Sequence, residues 1–299
     1  MEPPALIAMG DVRGAFSSEQ SWPAPAKINL FLHINGRRPD GYHELQTLFQ
    51  FLEYGDELEF DVRTDGEIHR IGGLGDVPQE QDLVVRAARA LQQATDCRLG
   101  ADIRVLKRIP AGAGLGGGSS DAATTLAVLN QLWELDLAAE QLAAIGLRLG
   151  ADVPIFLHGH AAWAEGVGER LVNCEPDEHW YLLVTPRVHV STALVFGHPD
   201  LPRGSPRISP TDYQFEHTRN DCEALVRTLH PAVDEALNAL TDFGPCRMSG
   251  TGCAAYAMFR NRAAAQAAFA QLSGRWPMQI ARGCNVSPLA LALSTRASP

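Results

Sequence analysis

Between Pro110 and Ser119 the chain carries five glycines, and two serines and an acid follow them: PAGAGLGGGSSDAA, residues 110–123. Glycine loses more backbone freedom on folding than any other residue, so this density answers a need for bare backbone. Glycines let a backbone close on an anion, and a helix starting just after them aims free N–H groups at it. Phosphate binding is therefore the expected chemistry; a tight strand-to-helix connection without a ligand would need only one or two glycines. Lysine usage adds a second signal. Only Lys27 and Lys107 occur, and the other 23 of the 25 basic residues are arginines. Arginine cannot copy a compact point charge with three rotatable donors, so two places have kept an ammonium group.

Two familiar phosphate motifs come close and fail. Gly112, Gly114 and Gly117 spell G-x-G-x-x-G, which belongs in a strand–helix–strand unit with an acid about 20 residues on. Here the helix runs into another helix, with Glu134 and Asp136 between them. Gly112 to Ser119 also approaches G-x-x-x-x-G-K-[ST], but Gly118 stands where the lysine should be. Neither a Rossmann oxidoreductase nor a P-loop enzyme follows.

The elements that must position these residues are legible from periodicity. AKINLFLHI (26–34) puts Ile28, Leu30, Leu32 and Ile34 on one side and Lys27, Asn29, Phe31 and His33 on the other. A strand with one buried face is predicted, holding Lys27 beside Asn29. RPDGYH supplies a turn at Asp40–Gly41. LQTLFQFLEY and DELEFDV, joined through Gly55–Asp56, read as two more strands, and a glycine-rich loop (72–76) follows. DLVVRAARALQQA is spaced as an amphipathic helix with Asp82 as N-cap. ADIRVLKRI (101–109) alternates until Pro110 stops it, and a helix begins beyond the glycines with Ser119, Ser120 and Asp121 in its first turn. A second helix closes at Gly150, and AAWAEGVGERLVN reads as a hairpin. After about residue 175 the pattern starts afresh with WYLLVTP, STALVFG and a Pro/Gly-rich loop (197–210). Two helices near 219–229 and 231–241, strand–loop–strand in CRMSGTGCAAYAMF, a helix and a last strand near 277–283 complete it. Two α+β halves fit this better than one sheet.

Composition sets the outer bounds. The 299 residues are 45% hydrophobic and 20% charged, enough for a sizeable core, and the net charge of −10 argues against a nucleic-acid partner. No apolar run nears the ~18 residues a membrane span needs. Residues 1–20 lack a signal-peptide pattern and read as a loose extension. Six cysteines without C-x-x-C spacing suit reduced thiols in a cytoplasmic protein, and HGH at 158–160 has no third candidate ligand nearby.

The loop resembles the P-x-x-x-G-L-G-G-G-S-S signature of the GHMP small-molecule kinases. PAPAKINLFLHINGRRPDGYHELQTLFQFLEYGDEL, LGADVPIFLHGHAAWAEGVGE, MSGTG and ARGCNVSPL extend the resemblance in family order from about residue 22 to 290. They narrow it to the branch acting on a cytidine diphosphate-linked methylerythritol. The resemblance implies an α+β, two-domain architecture with the active site in the cleft between the domains. The N-terminal domain is expected over 21–172 and the C-terminal one over 173–299. It implies ATP and Mg²⁺, and phosphorylation of the substrate's 2-hydroxyl.

By matching position, Asp152 is implied as catalytic base and Lys27 as its ionic partner. Pro110, Ala111, Gly112, Ala113, Gly114, Leu115, Gly116, Gly117, Gly118, Ser119 and Ser120 form the implied nucleotide cradle, with Lys107 and Asp121 on the same side. Asn29, Tyr42, His43, Phe49, Thr192 and Phe196 match substrate-side positions, with Tyr42, His43 and Phe196 around the cytosine. Ser119 is a candidate Mg²⁺ ligand, and no carboxylate announces itself as the second. The family usually has asparagine where this chain has Asp82, near the nucleotide's base and sugar. A monomer or weak homodimer is expected. Each residue has a plainer reading: Asp152 can brace a loop, Lys27 can be a surface charge, Phe196 and Tyr42 can be packing, and SGTG (249–252) a tight turn. Another kinase or an ATP-dependent decarboxylase of the superfamily, and a nucleotide-binding module without catalysis, are the rival readings.

Overall fold

The computed structural model describes residues 21–72 and 78–296; the extension expected at 1–20, most of the glycine-rich loop at 72–76 and the last three residues lie outside the described residues. The chain opens with a long antiparallel hairpin, β1 (Trp22–Arg37) and β2 (His43–Arg63). The alternation of β1 predicts one buried face, yet every residue from Ala24 to Ile34 is buried. The second face is covered by late segments of the chain: Leu32 N–H donates to the Arg219 carbonyl (3.0 Å), and Tyr256 Oη donates to that of Asn29 (2.9 Å). A bulge between Asn29 and Phe31 resets the alternation, so Phe31 joins the core of the C-terminal half.

Gly55 does not separate two strands. β2 runs unbroken for 21 residues, and a Cβ at Gly55 would lie 2.3 Å from the Ala24 carbonyl oxygen. The glycine admits a close crossing of β1 rather than a turn. β3 (Ile68–Ile71) and β4 (Gly100–Leu106) pair in parallel around α1 (Leu83–Thr95), which Asp82 caps as expected through its Oδ1, 2.9 Å from Val84 N. α2 (Gly117–Leu132), α3 (Ala139–Leu149) and α4 (Val153–His158) follow, then the hairpin β5 (Ala162–Gly166) and β6 (Arg170–Asn173).

The C-terminal half holds β7 (Trp180–Val184), α5 (Thr192–Gly197), α6 (Glu223–Leu229), α7 (Pro231–Thr241), β8 (Cys246–Met248), β9 (Ala255–Phe259), α8 (Arg262–Leu272), β10 (Met278–Cys284) and α9 (Pro288–Arg296). Periodicity leaves STALVF unassigned; it is the short helix α5, capped by Ser191. α9 lies beyond the last expected element.

Each half has its own core. One gathers α1, α2, β4 and part of β2; the other gathers β7 to β9, α7 and most of β1. The sheets nevertheless meet. β10 pairs with β7 from Met278 to Arg282, and then Gly283 and Cys284 pair with Leu52 and Phe51 of β2, giving one path β3-β4-β2-β10-β7-β9-β8.

Candidate active site

A cleft of about 870 Å³ opens where β1, the glycine loop, the 250–252 turn and α5 converge. Two glycines show why the loop needs bare backbone. Gly114 sits at φ +76°, and a Cβ there would lie 2.2 Å from the Ser249 carbonyl oxygen. Gly116, also at φ +76°, leaves room for the Phe156 ring (2.7 Å from such a Cβ) and the Lys27 stem (3.2 Å). Both conformations are ones L side chains avoid. Gly250, Thr251 and Gly252 line the cleft, and Ser249 Oγ donates to the Gly114 carbonyl at 2.9 Å, so SGTG forms part of its wall. No side chain caps α2, and Gly117, Gly118 and Ser119 of its first turn line the cleft. Donors at such an uncapped end suit an anion.

Lys27 is 2% exposed at the head of this loop. Its Nζ donates to Asn29 Oδ1 (2.7 Å) and the Gly114 carbonyl (3.3 Å), and Asp152 Oδ2 lies 3.2 Å away. The alternation that set Lys27 beside Asn29 is thus realised in space. Thr47 accepts from Asn29 Nδ2 at 2.8 Å and itself donates to the Phe31 carbonyl, which fixes the amide oxygen toward the ammonium. Phe49 lies beneath the charge, 5.1 Å from ring centroid to Nζ. Asp152 begins α4 without capping it, and its side chain is 39% exposed to the cleft that it lines.

Lys107 has two carboxylate partners, Asp56 and Asp121, the latter at 2.8 Å. Asp56 is fully buried and also accepts from the Arg108 and Ile109 N–H groups at 2.5 and 2.8 Å. Burial works against the Lys107 ammonium, but Asp121 and Asp56 outweigh it and hold its pKa above the ordinary value. Burial pushes the Asp121 carboxyl up to about 7 against the pull of Lys107, with Asp56 adding to the rise. Asp121 Oδ1 and Ser120 Oγ are buried without partners among the described residues. Asp82 also lines the cleft, but both its oxygens are engaged, by Val84 N–H and by the Arg70 guanidinium.

The substrate-side candidates divide. Phe49, Thr192 and Phe196 line the cleft, and Thr192 Oγ1 lies 2.8 Å from Thr251 Oγ1. Tyr42 is 63% exposed in the β1–β2 turn and is not part of the cleft wall. His43 is buried and stacked on Phe196 (5.2 Å, 28°), and its Nε2 accepts from Arg203 Nε at 3.0 Å. Burial, then Arg203 and Arg37, lower its pKa. Of the loop residues, Pro110, Ala111, Gly112 and Ala113 line the cleft, whereas Leu115 is buried under it with its carbonyl on Lys27 N–H (3.0 Å). Sequence reasoning misses Thr47, Asp56 and Arg203, whereas Thr251 falls in the SGTG stretch already singled out. Of the three, only Asp56 carries a signal, as an acid next to a glycine, and that signal reads as a turn.

Residues 82–160 match the GHMP kinases N terminal domain, and residues 212–277 match the GHMP kinases C terminal family. A 4-diphosphocytidyl-2-C-methyl-D-erythritol kinase of Alkalilimnicola ehrlichii is 56% identical over 273 residues, 91% of this chain and 94% of that one. A protein of the same name from Pseudomonas syringae pv. syringae is 54% identical over 267 residues, covering 89% and 95%. Among solved structures, a 4-(cytidine 5'-diphospho)-2C-methyl-D-erythritol kinase aligns at TM-score 0.77 and 33% identity, covering 88% of this chain and 98% of that one. The homoserine kinase of Cytophaga hutchinsonii aligns at TM-score 0.63 and 17% identity, over 92% and 98%, a likeness of fold alone.

Proposed function

The chain belongs to the 4-diphosphocytidyl-2-C-methyl-D-erythritol kinase family, within the ATP-dependent GHMP kinases, and we propose that it phosphorylates the 2-hydroxyl of that compound. The products are ADP and the 2-phosphate, in isoprenoid biosynthesis. The observation that carries the reading is the position of the Lys27 ammonium, 3.3 Å from the Gly114 carbonyl and 3.2 Å from Asp152. One buried charge joins the phosphate loop to a carboxylate exposed to the cleft.

In this reading the acceptor oxygen forms its bond to the γ-phosphorus as the bond to the β–γ bridging oxygen breaks. Asp152 takes the hydroxyl proton during that step, because a carboxylate is far too weak a base to ionise an alcohol beforehand. Lys27 orients Asp152 and offsets charge on the group in transit. The first N–H groups of α2 hold phosphate oxygens, and Lys107, steadied by Asp56 and Asp121, adds a point charge on the nucleotide side. The oxygen donors present fit Mg²⁺: the Ser119 hydroxyl on the cleft wall and the unpartnered Asp121 Oδ1 would hold it. When bound, Mg²⁺ neutralises phosphate charge. Thr192, Phe196 and His43 serve the cytidyl end, and Tyr42 reaches it only by moving from its exposed position.

The test is ADP release with Mg²⁺-ATP, with and without 4-diphosphocytidyl-2-C-methyl-D-erythritol, using mevalonate and homoserine as controls. Release only with the cytidyl compound is expected. Folded protein that binds ATP but turns over none of the three alcohols would overturn the reading.

A further inference from the structure

Arg203 lies outside every motif that points to the site, yet its guanidinium is fully engaged. Nε donates to His43 Nε2 (3.0 Å), Nη1 to the Pro199 and Leu201 carbonyls (3.3 and 3.1 Å), and Nη2 to those of Phe196 and His198 (3.0 and 2.7 Å). Arginine has no acceptor and keeps its proton at any accessible pH, so His43 Nε2 must bring a lone pair to this contact. A neutral imidazole then carries its proton on Nδ1. No hydrogen bond reaches His43 Nδ1 among the described residues, and the ring lies face to face with Phe196, a residue of the cleft wall.

We propose that Arg203 is a positioning residue that locks His43 as the Nδ1–H tautomer against Phe196, so that the ring offers a hydrogen-bond donor to the substrate's nucleobase. The proposal rests on the cytidyl substrate read above. Cytosine N3 is an acceptor whereas uracil carries a proton there, so a donor fixed opposite N3 distinguishes the two bases. The same guanidinium gathers four carbonyls of the 196–201 segment, and it thereby ties β2 of one half to the loop after α5 of the other. Protonation of His43 would set two cations face to face. The charged groups acting on the ring are Arg203 and, from β1, Arg37; both act with burial to keep it neutral.

The direct test is nitrogen-15 NMR of the full chain labelled at histidine. A protonated Nδ1 and a lone-pair Nε2 are expected for His43, and a proton on Nε2 would overturn the proposal. Kinetics supply a second test. Arg203→Gln should raise KM for the cytidyl substrate about tenfold, the worth of one well-placed hydrogen bond. It should leave kcat and KM for ATP within about twofold, and move the acid limb of kcat/KM to higher pH as His43 loses a cationic neighbour. A uniform loss in all three constants, with an unmoved pH profile, would mean that Arg203 only braces the loop. If the variant fails to fold, the wild-type tautomer decides. Wild-type protein with Nδ1–H but no turnover of the cytidyl compound would sink the substrate reading and leave the tautomer assignment standing.

Discussion

Asp152 stands at the N-cap of α4 without a capping bond, and Lys27 keeps Asn29 Oδ1 and the Gly114 carbonyl in its absence, so removing its charge should spare the fold. Asp152→Asn is expected to lower kcat by roughly 10²–10⁴, the usual worth of a general base, with KM for ATP and the melting temperature close to wild type. Steady-state kinetics beside a thermal melt check both halves of that statement. Asp121 gives a prediction of another kind. Its pKa is raised to about 7 by burial, while an unfolded aspartate titrates near 3.9. Between those values the native state holds a proton that the unfolded state has lost, so stability falls as pH rises from about 4 to about 7, then levels. Asp121→Asn should flatten that fall, and melts at pH 5 and pH 8 on both proteins would reveal it; equal slopes would exclude Asp121 as the source. Lys27 and Asn29 are legible at this scale because strand alternation reports shared faces directly. Asp56 and Arg203 are not, since their partners lie 51 and 160 residues away along the chain.

The glycine loop announces itself by composition, but composition does not say which glycine serves which purpose. Gly114 combines a left-handed backbone with a contact that leaves no space for a methyl, 2.2 Å from the Ser249 oxygen. Gly114→Ala should therefore cost roughly 1–3 kcal/mol of stability and raise KM for ATP as the loop shifts off the 249–252 turn. Gly204, with open space around it and no positive φ, is the control: alanine there should change the melt by no more than about 0.5 kcal/mol. If the two alanines behaved alike, the loop's fit against that turn would have no energetic weight. Caps are well read locally, as Asp82 on α1 illustrates, whereas β4 ends at Leu106, short of the Pro110 expected to stop it. The six-residue α5 is too short for a 3.6-residue period to register, so its Thr192 and Phe196 are named through the family resemblance and not through the helix that carries them.

At the scale of the molecule, the pattern restarts near residue 175 as two halves would require, yet the two cores do not divide at that point: most of β1, with Ile109 and Trp163, packs with the C-terminal half. What joins them leaves no local trace, because strand pairing between distant segments has no signature in either. The junction is two residue pairs long, and Gly283 is its tight point: a Cβ there would lie 2.7 Å from Gln50 Oε1 and 2.8 Å from the Tyr181 ring. Gln50 cannot simply swing away, since it accepts from Tyr181 Oη (2.6 Å) and donates to Asn285 Oδ1 (3.0 Å). Gly283→Val should therefore destabilise by roughly 1–3 kcal/mol, an overpacking cost. Hydrogen exchange should speed up in β10 before it does in α1; unchanged protection in β10 would show that the junction is slack.

The interleaving of β1 with late segments also has a consequence for how the protein is made. Ile28, Leu30 and Ile34 leave the ribosome early, yet they belong to a core completed by residues such as Val226, Leu237 and Tyr256. On the order of 200 residues separate the two, so at about 5–20 residues per second this apolar strand waits roughly 10–40 s for its cover. A nascent chain stalled before β8 would already carry its glycine loop but lack one wall of the cleft. Such a chain is a client for chaperones and a target for proteases, and premature stop codons even late in the gene should leave no partial activity.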